Sequence, residues 1–132
     1  MTGETDLAVL LRGMRPVLDP VVYGFSTLQR DATLPPALRP LCLFEEEEGT
    51  TLIAPQSDLV AAGLAHRPGW ARITLTVHSS LEAVGLTAAI AAALTDAGIS
   101  ANVVAAYYHD HVFVPWDRRH DALTALEALG QN

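Results

Sequence analysis

From Arg72 to His78 the chain alternates strictly. Ile73, Leu75 and Val77 fall on one side and Arg72, Thr74, Thr76 and His78 on the other. Period two with β-branched residues predicts a half-buried strand. It runs directly into Ser79-Ser80-Leu81-Glu82, where Ser79 and Glu82 have the spacing of a capping box, hydroxyl and carboxylate each serving an amide at a helix start. Leu86, Ile90, Ala93, Leu94 and Ala97 then recur at helical spacing, and Gly98 stands where a helix end favours a left-handed residue. A second strand is expected from about Ile99 to Tyr107, a turn at Tyr108 to Asp110, and a third strand at His111 to Pro115. Arg72 to Trp116 thus reads as strand, capped helix and hairpin.

The flanking segments repeat this order less clearly. Thr5 or Asp6 can cap a short helix carrying Leu7, Leu10, Leu11 and Met14, closed by Gly13 and Pro16. Val21 to Leu28 reads as a strand, and Pro35, Pro36 and Pro40 mark Gln29 to Pro40 as a loop. Leu41 to Glu46 and Thr50 to Ala54 read as a hairpin around Glu48-Gly49. Pro55 to Leu64 reads as a helix with Leu59 and Val60 inward. Ala65 to Ala71, with Pro68-Gly69, is expected to link to the central strand. After it, Asp117 can cap a last helix with Ala122, Leu123, Leu126 and Leu129 inward, stopped by Gly130.

The fold class expected is α+β: two halves, residues 1–68 and 69–132, with antiparallel sheets and helices on one face, of the ferredoxin-like βαββαβ type that the family resemblance given next implies. Neither half has four evident strands. The halves are therefore expected to share strands or pair sheet edges, since an open edge is a pairing hazard.

The stretch resembles an ACT domain, a module that binds amino acids and regulates enzymes of amino-acid metabolism. The resemblance rests on the loop His78-Ser79-Ser80, on Gly85-Leu86 and on the turn Gly98-Ile99. It is strong over residues 72–129 and faint before them. The family often carries an acidic residue and a proline ahead of its glycine, where this chain has Glu82-Ala83-Val84. The resemblance implies a ligand corner lined by His78, Ser79, Ser80, Leu81, Glu82, Val84, Gly85 and Leu86, faced by Asn102, Val103 and Val104. It also implies an amino acid or similar small anionic metabolite as ligand, a homodimer, and a regulated enzyme as a further partner. Gly85, read as lying inside the helix, either lets the helix sit close to the sheet or admits a ligand to its first turns. A helix start favours a carboxylate.

Composition narrows the alternatives. Half of the 132 residues are hydrophobic and 17% are charged. Eight Lys plus Arg against fifteen Asp plus Glu give a net charge of −7, with no basic stripe to hold nucleic acid. Cys42, the single cysteine, reads as a small buried hydrophobe. The apolar run Ala88 to Leu94 is far short of the ~18 residues of a membrane span, and the amino terminus lacks signal-peptide features. A soluble cytoplasmic protein without membrane contact is expected.

No nucleophile with base, phosphate cradle or cofactor motif stands out, so no catalytic residue and no cofactor are assigned. His109-Asp110-His111 invites a metal reading. The expected turn beside these histidines splays them apart, and no further ligand shows recognisable spacing, so no metal site is assigned. Two rival readings remain: a ligand-free dimerisation module, and a small enzyme or metal-binding protein using His78, His109 and His111.

Overall fold

The structure, a computed structural model, describes residues 6–77 and 83–131. In order these form α1 (Leu7–Gly13), β1 (Pro16–Leu28), β2 (Cys42–Glu45), β3 (Thr50–Pro55), α2 (Gln56–Ala61), β4 (His66–Leu75), α3 (Leu86–Asp96), β5 (Asn102–Ala105), β6 (Asp110–Pro115), a 3₁₀ turn (Trp116–Arg118) and α4 (Arg119–Leu129). The chain forms two compact units, one of residues up to Pro20 and from Ala71 onward, the other Val21–Trp70.

β1 and β4 each contribute to both units, which is how each reaches four strands. In the first unit the order is β1-β4-β6-β5. Arg72 donates to Asp19 and Thr76 to the Arg15 carbonyl, so β1 and β4 run in opposite directions. β5 pairs antiparallel with β6, Val103 opposite Val112 and Ala105 opposite Asp110. In the second unit the order is β2-β3-β1-β4. There β3 pairs antiparallel with β1 from Tyr23↔Pro55 to Leu28↔Thr50, and with β2 from Cys42↔Ile53 to Glu45↔Thr50. The antiparallel α+β class expected from the sequence is what forms.

Two strands run longer than the pattern indicates. β1 extends back through Pro20 to Pro16, and β4 begins at His66, inside the segment expected to be a linker. A proline donates no ladder hydrogen bond and is tolerated on an edge. Pro16 and Pro20 lie where β1 is the edge of the first unit, and Pro68 where β4 is the edge of the second. Gly69 takes φ +84 within β4, and its amide donates to Gln56 Oε1 at 2.9 Å.

The first unit holds the larger core. Ala71, Ile73 and Leu75 of β4, with Val112 and Val114 of β6, pack against Leu10, Leu86, Ile90, Leu94, Ala122 and Leu126 of the helices. Val77 and Leu123, also expected inside, are partly buried against it, as is Val103. α1 is capped by Asp6, which accepts from the Val9 amide at 3.2 Å. At the end of α3, Gly98 takes φ +71 and the Ile99 amide reaches back to the Leu94 carbonyl at 2.9 Å, the closure its glycine predicts. In the second unit, the proline-bearing segment after β1 covers the sheet with Leu34 and Leu38, over Leu52, Ala54 and Leu59.

Three expectations need correction. Val60 of α2 is 63% exposed, because the one buried position of this short helix is Leu59. The second hairpin strand is only Asn102–Ala105, since Ile99 is used in closing α3. Gly85 is not inside a helix: α3 begins at Leu86, and Gly85 precedes it at φ +96, which helical geometry cannot accommodate. Ser79 and Glu82, read as a capping box, lie outside the described residues.

Candidate functional site at the head of α3

β4 ends at Leu75, the description resumes at Ala83, and α3 starts three residues later. The first intrahelical bond runs from the Ala89 amide to the Gly85 carbonyl at 2.9 Å. The amides before it have no partner within the helix. No side-chain cap serves this end among the described residues, and the first turn carries no acidic group. Among the described residues nothing offsets the partial positive charge of this helix start, beside Val84, which is 83% exposed.

Gly85 has two structural reasons to be glycine. Its φ is disfavoured for any L-side chain, and a Cβ there would lie 3.2 Å from Leu7 Cδ2 of α1. Its close neighbour is thus another helix of the same unit.

The structure groups Val84, Gly85 and Leu86 at this corner, with the Leu86 side chain turned into the core. Asn102 does not join them. His111 sits beside Thr74 and His109 beside Val77, so the β4 terminus lies level with the start of β6 and the end of β5. Asn102 opposes Phe113, three residues further along the ladder from Ala105, roughly 10 Å away. Val103 is packed against the helix-side core, and Val104, opposite His111, is half-buried. His78, Ser79, Ser80, Leu81 and Glu82 lie outside the described residues.

His109 and His111 are not splayed by the turn. The turn closes earlier, with the Ala106 amide bonded to the His109 carbonyl, and β6 begins at Asp110. His109, just ahead of β6, and His111 therefore project from one side of this hairpin arm, His111 toward Thr74 of β4 and His109 toward Val77 just past its end. His109 Nδ1 lies 3.2 Å from the Val77 carbonyl oxygen, and His111 Nδ1 lies 3.0 Å from Thr74 Oγ1. Asp110, between them, is buried on the other side. Nearby, Arg72 pairs with Asp19 at 2.7 Å, both largely shielded from solvent.

Burial pushes the His111 imidazole below its ordinary value of 6.5, helped by the Arg72 and His109 charges and opposed by Asp110. The unfolded chain thus takes up this proton at a higher pH than the folded one. Between the two values the unfolded state holds more protons, so stability falls as pH drops below 6.5 through the folded pKa. Above 6.5 both states are neutral there and the effect is absent. Urea unfolding at pH 7.5 and pH 5, with a metal chelator present, should show a larger loss for the wild type than for His111→Gln. Equal losses would refute it.

The second unit carries a different concavity, of about 420 Å³, lined by Arg30, Asp31, Ala32, Glu45, Glu46 and Thr50. It gathers one guanidinium and three carboxylates from the end of β1 and the β2–β3 hairpin. Glu46 also accepts from the Thr51 hydroxyl. The sequence shows Glu45 to Glu48 only as a charged turn, and nothing local to Arg30 indicates that the two segments meet. Among the described residues, no group of three or more His, Cys, Asp or Glu is placed to hold a metal ion. No helix among them is long and apolar enough to cross a membrane.

Family models described as ACT domain match residues 2–68 and 66–128. The chain belongs to the ACT domain family. Among solved structures, it is 44% identical to a Vibrio cholerae protein of unknown function described as a possible transport protein, covering 95% of this chain and 96% of that one at a TM-score of 0.83. The regulatory subunit of Thermus thermophilus aspartate kinase, in a ligand-free form, matches at 12% identity and TM-score 0.65, covering 86% and 95% of the two chains. Clostridium acetobutylicum aspartate kinase matches at 9% identity and TM-score 0.69, covering 88% of this chain and 34% of that one. These two show the shared ferredoxin-like ACT fold. No curated protein matches the sequence. Membership of the ACT family supports a regulatory, small-molecule-binding role in general terms.

Proposed function

We propose that this ACT protein is a non-catalytic cytoplasmic regulator that binds an amino acid and acts through ligand-dependent association, with a second copy of itself and with an enzyme partner. The observation that carries the reading is the pair of ACT matches spanning residues 2–128. The physical support is the start of α3, where among the described residues no side chain caps the amides and the first turn holds no acidic group, which suits an α-carboxylate. Val84, Gly85 and the backbone of Leu86 form the described part of this site. The preceding His78 to Glu82 complete it in the proposal, Glu82 offering an acceptor for the ammonium group. Asn102, Val103 and Val104 have no assigned contact in it.

Gly85→Val is a poor probe, because strain at φ +96 and the approach to Leu7 would disturb folding as well as binding. Val84→Glu is a better one. At this exposed position stability should stay within about 0.5 kcal/mol, while the added carboxylate repels a bound one. A thermal-shift screen of the wild type with the twenty amino acids should find at least one that stabilises it, by about 2.7 kcal/mol at a hundredfold excess over Kd. Light scattering should show its mass changing with that ligand. Val84→Glu should remove the stabilisation and Arg30→Gln should leave it. If Arg30→Gln removes it instead, the ligand sits in the other unit; if no amino acid stabilises the wild type, the chain is a ligand-free association module.

A further inference from the structure

We propose that His109 and His111 form a two-imidazole half-site for a divalent transition ion of the imidazole-preferring kind, such as Cu²⁺, Ni²⁺ or Zn²⁺. Neither histidine is among the residues of the proposed amino-acid corner.

His111 lies on β6, and His109 continues its extended path one residue ahead of it, paired with Ala106; at this spacing side chains share a face with Cα atoms roughly 7 Å apart, a span that one ion can bridge with two imidazoles. The geometry adds a feature that mere adjacency would not. Each ring is anchored through the same nitrogen, His111 to β4 and His109 to the chain just beyond it: His109 Nδ1 donates to the Val77 carbonyl oxygen, and His111 Nδ1 meets the Thr74 hydroxyl. Metal-binding histidines characteristically use one ring nitrogen for such an anchor, which fixes the ring and presents the other. Here the presented atom is Nε2 in both rings, and among the described residues neither Nε2 has a hydrogen-bond partner. The carbonyl contact keeps the His109 proton on Nδ1 and its lone pair on Nε2, and His111 has the same arrangement in the tautomer whose Nδ1 donates to the Thr74 hydroxyl.

The surroundings permit a cation. Arg72 is the positive group nearby, and its charge is matched by Asp19 at 2.7 Å. Asp110, buried between the two histidines, adds a negative charge close to the site. Since no third His, Cys, Asp or Glu joins the pair among the described residues, the remaining coordination positions fall to water or to a group from outside this constellation. Such an open half-site would bind more weakly than a closed structural one and exchange its ion readily.

Cu²⁺ is the natural probe, as the ion that nitrogen sites of this kind bind most tightly. Titrated into the untagged full-length protein, it should bind at one ion per chain, and electron paramagnetic resonance should show coupling to two imidazole nitrogens. His109→Gln and His111→Gln should each weaken binding at least tenfold. Thr74→Val, which removes only an anchor, should weaken it by about tenfold while the two-nitrogen spectrum survives. His66→Gln and His120→Gln should change nothing. Circular dichroism confirms that each variant is folded. The proposal fails if the wild type shows no two-nitrogen spectrum, a result independent of any variant's folding, or if the double variant His109→Gln/His111→Gln binds Cu²⁺ as well as the wild type.

Discussion

Replacing Leu94 by alanine is expected to cost roughly 2–5 kcal/mol of stability, the range for emptying a fully buried leucine site. Leu94 is entirely inaccessible to solvent and lies in the cluster that joins Ile73 and Leu75 of β4 to Ile90 of α3 and Leu126 of α4. Its carbonyl also receives the Ile99 amide that closes α3. The truncation removes the contacts of the side chain, and a cavity bordered by two helices and a sheet can collapse only in part. Val60→Ala, at an exposed position of α2, should stay within about 0.5 kcal/mol. Urea titration followed by far-ultraviolet circular dichroism measures both. A loss below 1 kcal/mol for Leu94→Ala would show that this core is not packed as described.

The second large effect belongs to the other unit. Gly49 has no positive φ, so conformational freedom does not explain it; space does. A Cβ there would lie 2.5 Å from the Leu28 carbonyl oxygen and 3.0 Å from Thr27 Oγ1. The Leu28 carbonyl is backbone, fixed where Leu28 pairs with Thr50 at the end of the β1–β3 ladder, and cannot swing away as a side chain would. Gly49→Val should therefore cost about 1–3 kcal/mol by forced overpacking, and Glu48→Ala, at the exposed hairpin tip, almost nothing. In a Trp116→Phe background, Trp70 fluorescence reports on this unit, since Trp70 stacks edge-on with Phe25 at 5.4 Å. An unchanged midpoint for Gly49→Val would place the hairpin differently.

These examples also show what a sequence exposes. Alternation from Arg72 to Val77 and the stripe Leu86-Ile90-Leu94 follow from burial of one face, and a pattern of residue types records that directly. Gly98 was legible because one local conformation ends a helix in this way. The strand portions through Pro16, Pro20 and Pro68 were not, because proline reads as a breaker unless the strand is known to be an edge, and edges are set by topology. The start of α3 was misplaced toward Ser79 because a capping box is a local match, whereas the +96° φ of Gly85 that marks the true start is a property of the folded chain. For the candidate site, the grouping of Val84, Gly85 and Leu86 near a helix start was visible, and the position of Asn102 was not. Register fixes that position, and register depends on which residues of β6 meet β4. The same dependence hid the common orientation of His109 and His111.

The ion pair between Asp19 and Arg72 brackets the place where the chain leaves the first unit after Pro20 and re-enters it at Ala71. The fifty intervening residues therefore begin and end side by side, as a parenthesis does in a sentence. To the unit that hosts it, such an insertion demands only that its two ends stay together, not any particular length or content between them.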